Sequence, residues 1–246
     1  MIDFDHLQWV LITLIFLWAG FVRTGIGFGG AALGLPLFLL VGESPVFWLP
    51  LIGIHLLFFS SLNLTKSVKN VEWTYLKKSL VWILPPTLLG VLGLISLSDK
   101  VISIFIYCVT IFYAIIWVKD TKIVSSSGWA DKLLLLLGGY VAGTSLTGAP
   151  MLVAVYVKNI AKECLRPTLF VLWFVLVSIK MVAFLIVGVA IHWKIALLML
   201  PVAAIGHFIG LRFHDRIMEN DRTFKKWIGT ALFLVSSLGL VKIFLS

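Results

Sequence analysis

The sequence reads as an all-α polytopic membrane protein made of two inverted repeats, each a Gly-rich broken-helix hairpin plus three transmembrane helices. Three observations predict that class: long uncharged apolar runs, a one-sided distribution of basic residues, and a glycine-rich interruption in each half. Apolar residues make up 61% of the 246 and charged residues only 13%, against about a quarter charged in soluble domains. The uncharged runs are 7–22, 24–42, 46–65, 79–98, 101–118, 133–157, 167–179, 181–193, 195–211 and 227–241. Several reach the roughly 17 to 20 residues that a spanning helix needs.

The first element is Gly25-Ile-Gly-Phe-Gly-Gly-Ala-Ala-Leu-Gly-Leu-Pro36. Five glycines and a proline within twelve residues disfavour a continuous helix. In a bilayer, backbone leaves the helix only where it is buried in protein or lines a polar cavity. The second half carries a weaker copy, Gly139-Tyr-Val-Ala-Gly-Thr-Ser-Leu-Thr-Gly-Ala-Pro150. Paired interruptions in two corresponding halves point to a transporter's binding site.

Basic residues decide how these segments cross. If 7–41 and 133–157 are each one plain crossing, alternation places nine Lys/Arg on each face, against the positive-inside rule. If each is a hairpin that enters and leaves on one side, the loops at 65–78, 119–132, 158–166 and 212–226 share a face and carry 15 basic residues. The opposite face keeps Lys100, Lys194 and Lys242, while Arg23 and Lys180 stay within the membrane. The hairpin arrangement is therefore preferred. Residues 1–122 then form the first inverted repeat, with hairpin 7–41 and spans 46–64, 79–97 and 101–118. Residues 123–246 form the second, with hairpin 133–157 and spans 165–187, 195–211 and 227–245. At 25 residues the second hairpin allows about 12 per arm, which predicts arms of half-depth there. Echoes between the halves agree: Gly20-Phe-Val with Gly139-Tyr-Val, Trp73 with Trp193, and Gly90 with Gly210.

Asp3 and Asp5 precede the first run and no basic residue comes before Arg23, so the positive region of a signal peptide is lacking. Cys108 and Cys164 form neither a disulfide framework nor a metal signature. The net charge of +9 suits anchoring at a cytoplasmic membrane face rather than binding nucleic acid. The expected setting is the inner membrane of a prokaryotic cell, multi-pass, with both termini outside.

At the glycine segments the residues resemble the sulfite exporter TauE/SafE family of membrane permeases. Members typically carry G-x-G-G-G, an apolar run and Pro-Leu near the start of each half. Gly25-Ile-Gly-Phe-Gly-Gly with Pro36-Leu37 matches the first copy; in the second, Thr144, Ser145 and Thr147 stand where glycines are expected. A small, polar stretch after the hairpin is met by Ser60-Ser61-Leu-Asn63, whereas Trp173 to Lys180 departs from it. The resemblance spans the whole chain and implies export or uptake of small sulfur-containing anions such as sulfite or organosulfonates.

Candidate substrate-binding residues are Arg23, Thr24, Gly25, Gly27, Gly29, Gly30, Thr144, Ser145, Thr147, Gly148 and Lys180. Helices starting at the breaks would aim free backbone N–H groups at an anion; the glycines also serve simple close packing. Arg23 has the planar fork that suits sulfite or sulfonate oxygens, or it snorkels or pairs with a carbonyl. Lys180 lies about 10 Å from the outer end of its span and is expected to snorkel to the surface, or else to serve the anion. The hydroxyls at the breaks could donate to an anion or bond backbone carbonyls. His55 and His207 could carry a coupling proton or simply pack. Every Asp and Glu maps to a loop or terminus, so the interior field is positive and favours an anion. No cofactor is expected. The partners are the anion and the lipid bilayer, with a homo-oligomer left open. The other readings are a cation or metal permease and a non-transporting membrane subunit; an enzyme fits least.

Overall fold

The computed structural model describes residues 4–25, 30–121, 123, 127–219 and 221–245. Among the described residues ten α-helices run in chain order: α1 (His6–Gly25), α2 (Gly30–Val41), α3 (Pro45–Ser67), α4 (Trp73–Ser96), α5 (Asp99–Val118), α6 (Gly128–Ser145), α7 (Ala149–Asn159), α8 (Lys162–Val187), α9 (Trp193–Glu219) and α10 (Asp221–Leu245). A 3-10 turn, Val68–Asn70, separates α3 from α4. Among the described residues there is no strand. Seven helices, α1, α3, α4, α5, α8, α9 and α10, are long and apolar enough to cross a membrane.

One order of lengths runs twice. A long arm and a short arm are followed by three long helices, first in α1–α5 and then in α6–α10. The first two helices of each set differ in length. The arms have 20 and 12 residues in the first, 18 and 11 in the second. The second pair therefore differs from the expected two arms of about 12 residues each in being unequal. Ser127 caps α6 by accepting from the Ala130 N–H at 3.2 Å, and the helix then runs through Asp131 and Lys132. Charges end an uncharged run without ending a helix. The same reason carries α9 past Arg212 to Glu219 where a loop was expected. Much of the first glycine-rich stretch is helical. Gly34 and Pro36 lie inside α2, whose residues Gly30 to Pro36 are all buried; surrounding protein lets a membrane helix keep a proline.

The helices gather into two compact units, each drawn from both sequence halves. The first, Met1–Trp48, Ser98–Lys122 and His192–Ser246, holds α1, α2, α5, α9 and α10. In it α1 lies along α9, α5 lies along α10, and α2 packs on α1, α10 and α5. Glycines set the α1–α9 approach. A Cβ on Gly20 would run into the Ala203 carbonyl oxygen, one on Gly206 into that of Leu17, and one on Gly210 into that of Phe21. Val22, Leu33, Ala114, Ile228 and Leu232 form a core there, and α5–α10 closes where Gly239 meets the Tyr107 ring.

The second unit, Leu49–Leu97 and Ile123–Ile191, holds most of α3 with α4, α6, α7 and α8. Here α4 lies along α6 and α7 packs on α6 and α8. Glycines again bring backbones together: Gly139 faces the Ile83 carbonyl, Gly143 that of Thr87, and Gly90 that of Tyr140. The core includes Ile83, Leu152, Val155, Tyr156 and Leu172. Within it the hydroxyls of Ser79 and Tyr156 pair at 2.5 Å, and Thr87 Oγ donates to the Gly139 carbonyl at 3.0 Å. Ser61 and Asn63 return hydrogen bonds to α3's own carbonyls, Leu57 and Phe59. The polar stretch therefore serves its own helix.

Candidate functional site

The first interruption, in the first unit, is built on the end of α1. Arg23 sits two residues before the end of α1 and its side chain lies across Gly30, the first residue of α2. A Cβ on Gly30 would stand 3.0 Å from Arg23 Cβ and 3.4 Å from Arg23 Nε, an atom that is itself buried. The first N–H groups of a helix have no intrahelical partner and carry the positive end of its dipole. A guanidinium folded over such a start adds a fixed positive charge to it. Gly27 and Gly29 lie outside the described residues.

Thr24, only 4% exposed, turns the other way. Its Oγ is 3.2 Å from the Gly20 carbonyl oxygen and 2.6 Å from Nδ1 of His207 on α9. A hydroxyl has one proton, so donation to Gly20 requires Nδ1–H of His207 to donate back to Thr24. The next residue is held as well, because Nδ1 of His214 donates to the Gly25 carbonyl at 2.8 Å. His207 and His214 are seven residues apart, two turns on one face of α9. Together they grip two consecutive residues where α1 leaves orphan carbonyls. His214 was not among the sequence candidates. Its spacing from His207 was a usable signal, but Arg212 had placed the end of the span before it.

The second interruption, in the second unit, turns through Leu146 in the left-handed region at φ 60° and enters α7 with Pro150 in its first turn. Thr144, Ser145 and Thr147 are at most 2% exposed. Thr144 Oγ donates to the Tyr140 carbonyl at 2.9 Å and Ser145 Oγ to that of Val141 at 3.0 Å. Ser145 and Thr147 pair at 2.6 Å, so with the Ser145 proton on Val141 the Thr147 hydroxyl donates to Ser145. These hydroxyls bond inside the protein, mainly to helix carbonyls. Gly148 folds back so closely that a Cβ would strike the Gly138 carbonyl. The N–H groups at this turn without an intrahelical partner are accordingly those opening α7, Ala149 and Met151, with Pro150 lacking one.

His55, 1% exposed, lies on α3 in the second unit. Lys180 lies on α8 in the same unit and is also 1% exposed. The expectation that Lys180 snorkels is thereby corrected: helix packing around α8 encloses the whole side chain. Thr24 and His207 are brought together, as are Arg23 with Gly30 and Thr144 through Gly148.

A family model described as sulfite exporter TauE/SafE matches residues 12–238. The chain belongs to the TauE/SafE family. The TauE/SafE match runs from α1 into α10 and takes in both interruptions. No curated protein and no solved structure matches the chain. The family is one of membrane transporters, and the seven apolar helices make this TauE/SafE member a multi-pass membrane protein.

The Thr24–His207 bond is testable by a double-mutant cycle. Thr24→Val and His207→Phe should each destabilise the detergent-solubilised TauE/SafE protein, because each leaves a buried partner unsatisfied. The double variant should recover about 1 kcal/mol relative to the sum. Strict additivity of the two unfolding free energies would show that the bond contributes nothing.

Proposed function

We propose that this protein carries a small sulfur-containing anion, of the sulfite or organosulfonate class, across the prokaryotic inner membrane by alternating access between two inverted repeats. The observation that carries the reading is Arg23 folded over Gly30 at the start of α2. A guanidinium and a helix N-terminus at one place form a cationic seat whose planar donors match sulfoxy oxygens. The family adds the transport class. The internal repeat draws support from matching contacts in the two units: Gly20 and Gly139 meet backbone carbonyls of α9 and α4, and Gly210 and Gly90 meet the carbonyls of Phe21 and Tyr140. Loops rich in Lys and Arg belong inside, with both termini outside. An anion leaving a negative-inside cell moves downhill, which favours outward flux.

A ligand-stabilisation panel tests this reading. Sulfite, sulfate, thiosulfate, taurine and isethionate are each added to the purified protein, with divalent metals alongside. A rise in melting temperature with sulfite or an organosulfonate is expected. A rise with a divalent metal and with no anion would overturn it.

A further inference from the structure

We infer that Lys180 makes this protein an anion exchanger: it passes between its two access states only with an anion paired to Lys180 Nζ. The inference rests on the permease reading above. Lys180 is 1% exposed, and its Nζ is buried with no hydrogen-bond partner among the described residues. Its buried neighbours on α8 are Met181, next in sequence, and Leu176, Val177 and Phe184 one turn away. α3 presses on the same stretch, since a Cβ on Gly53 would stand 2.8 Å from Met181 Sδ and 3.5 Å from Val177 Cγ1.

The carboxylates of the second unit are occupied or distant. Asp131 accepts from Lys158 at 3.2 Å. Glu163 stands in the first turn of α8, about 25 Å along the helix from Lys180. Glu72 is placed by its N–H donating to Thr168 Oγ at 2.9 Å, beside a residue about 18 Å along α8 from Lys180. An ammonium among apolar side chains with no counter-charge is among the costliest arrangements a protein interior holds. Either the ammonium gives up its proton or an anion from outside joins it, and the exchange reading assigns the balancing charge to the transported anion. Loaded, the buried site is neutral and the carrier can reorient. Empty, it would have to pass through the occluded state with the charge uncompensated. One anion out thus requires one anion in.

The test uses the full chain in proteoliposomes preloaded with labelled sulfite, for the wild type, Lys180→Arg and Lys180→Met. Efflux into buffer containing unlabelled sulfite should be at least ~10-fold faster than into sulfite-free buffer, a lower bound set by little more than one pKa-scale energy step. Lys180→Arg keeps the charge and should keep that ratio. Lys180→Met should bring it close to one, by letting the empty carrier return. Wild-type efflux equally fast without external anion would overturn the inference and leave the permease reading standing. So would net efflux accompanied by stoichiometric proton movement, which places the compensating charge on a proton. No sulfite flux under either condition would overturn sulfite transport itself. The wild-type ratio decides alone should Lys180→Met fail to reconstitute.

Discussion

Gly206→Leu is expected to yield little or no folded protein after detergent extraction. In the first unit a Cβ on Gly206 would run into the carbonyl oxygen of Leu17 and stand 2.9 Å from the amide nitrogen of Phe21. Those are main-chain atoms of α1, so no rotamer change relieves the clash. The helices must separate, and Gly20 and Gly210 then lose their contacts as well. Separation also draws His207 from Thr24 and His214 from the Gly25 carbonyl. Overpacking alone costs about 1–3 kcal/mol where side chains can shift; against rigid backbone the penalty exceeds that range and consumes much of a typical stability of about 5–15 kcal/mol. Gly128→Ala is the control. Nothing lies within 4 Å of a Cβ there, and alanine favours the helix by up to about 1 kcal/mol. Size-exclusion profiles and melting temperatures should rank Gly128→Ala at or above wild type and Gly206→Leu far below it. A Gly206→Leu protein that melts with the wild type would show that α1 and α9 do not meet at this glycine.

The contrast between these two glycines shows what could be read from the sequence. Uncharged runs locate nearly every helix, because burying helix-forming apolar residues in lipid is a local property of the run. Helix ends are less legible, as Arg212 and Lys132 show: a charge marks where hydrocarbon stops, and hydrogen bonding continues beyond it. The echoes Gly20 with Gly139 and Gly90 with Gly210 are visible in the letters, but their partners are not. Gly20 meets the carbonyl of Ala203 and Gly139 that of Ile83, and a main-chain carbonyl leaves no trace in residue identity. The same holds for His214, whose acceptor is the Gly25 carbonyl. Hydropathy places Lys180 within a span, yet only the packing of neighbouring helices decides whether its stem leads to the surface or ends inside. For the hydroxyls of the second interruption, both a ligand and a backbone role fit the sequence, and the geometry assigns Thr144 and Ser145 to carbonyls of their own helix.

Arg23→Gln is expected to weaken sulfite binding by at least about 30-fold, since losing one member of a buried charged contact costs about 2–5 kcal/mol. Glutamine keeps a donor and most of the length but removes the charge and the second arm of the fork. Arg23→Lys restores the charge without the planar pair of donors, so its affinity should fall between wild type and Arg23→Gln. Titrating sulfite against melting temperature measures all three. Sulfite affinity unchanged in Arg23→Gln would make Arg23 a packing residue and remove the main support for an anion seat at α2. The pattern also separates Arg23 from Lys180. A seat that binds the substrate controls exchange and net flux alike, so Arg23→Gln should slow both and leave their ratio in place. Lys180→Met should instead collapse that ratio.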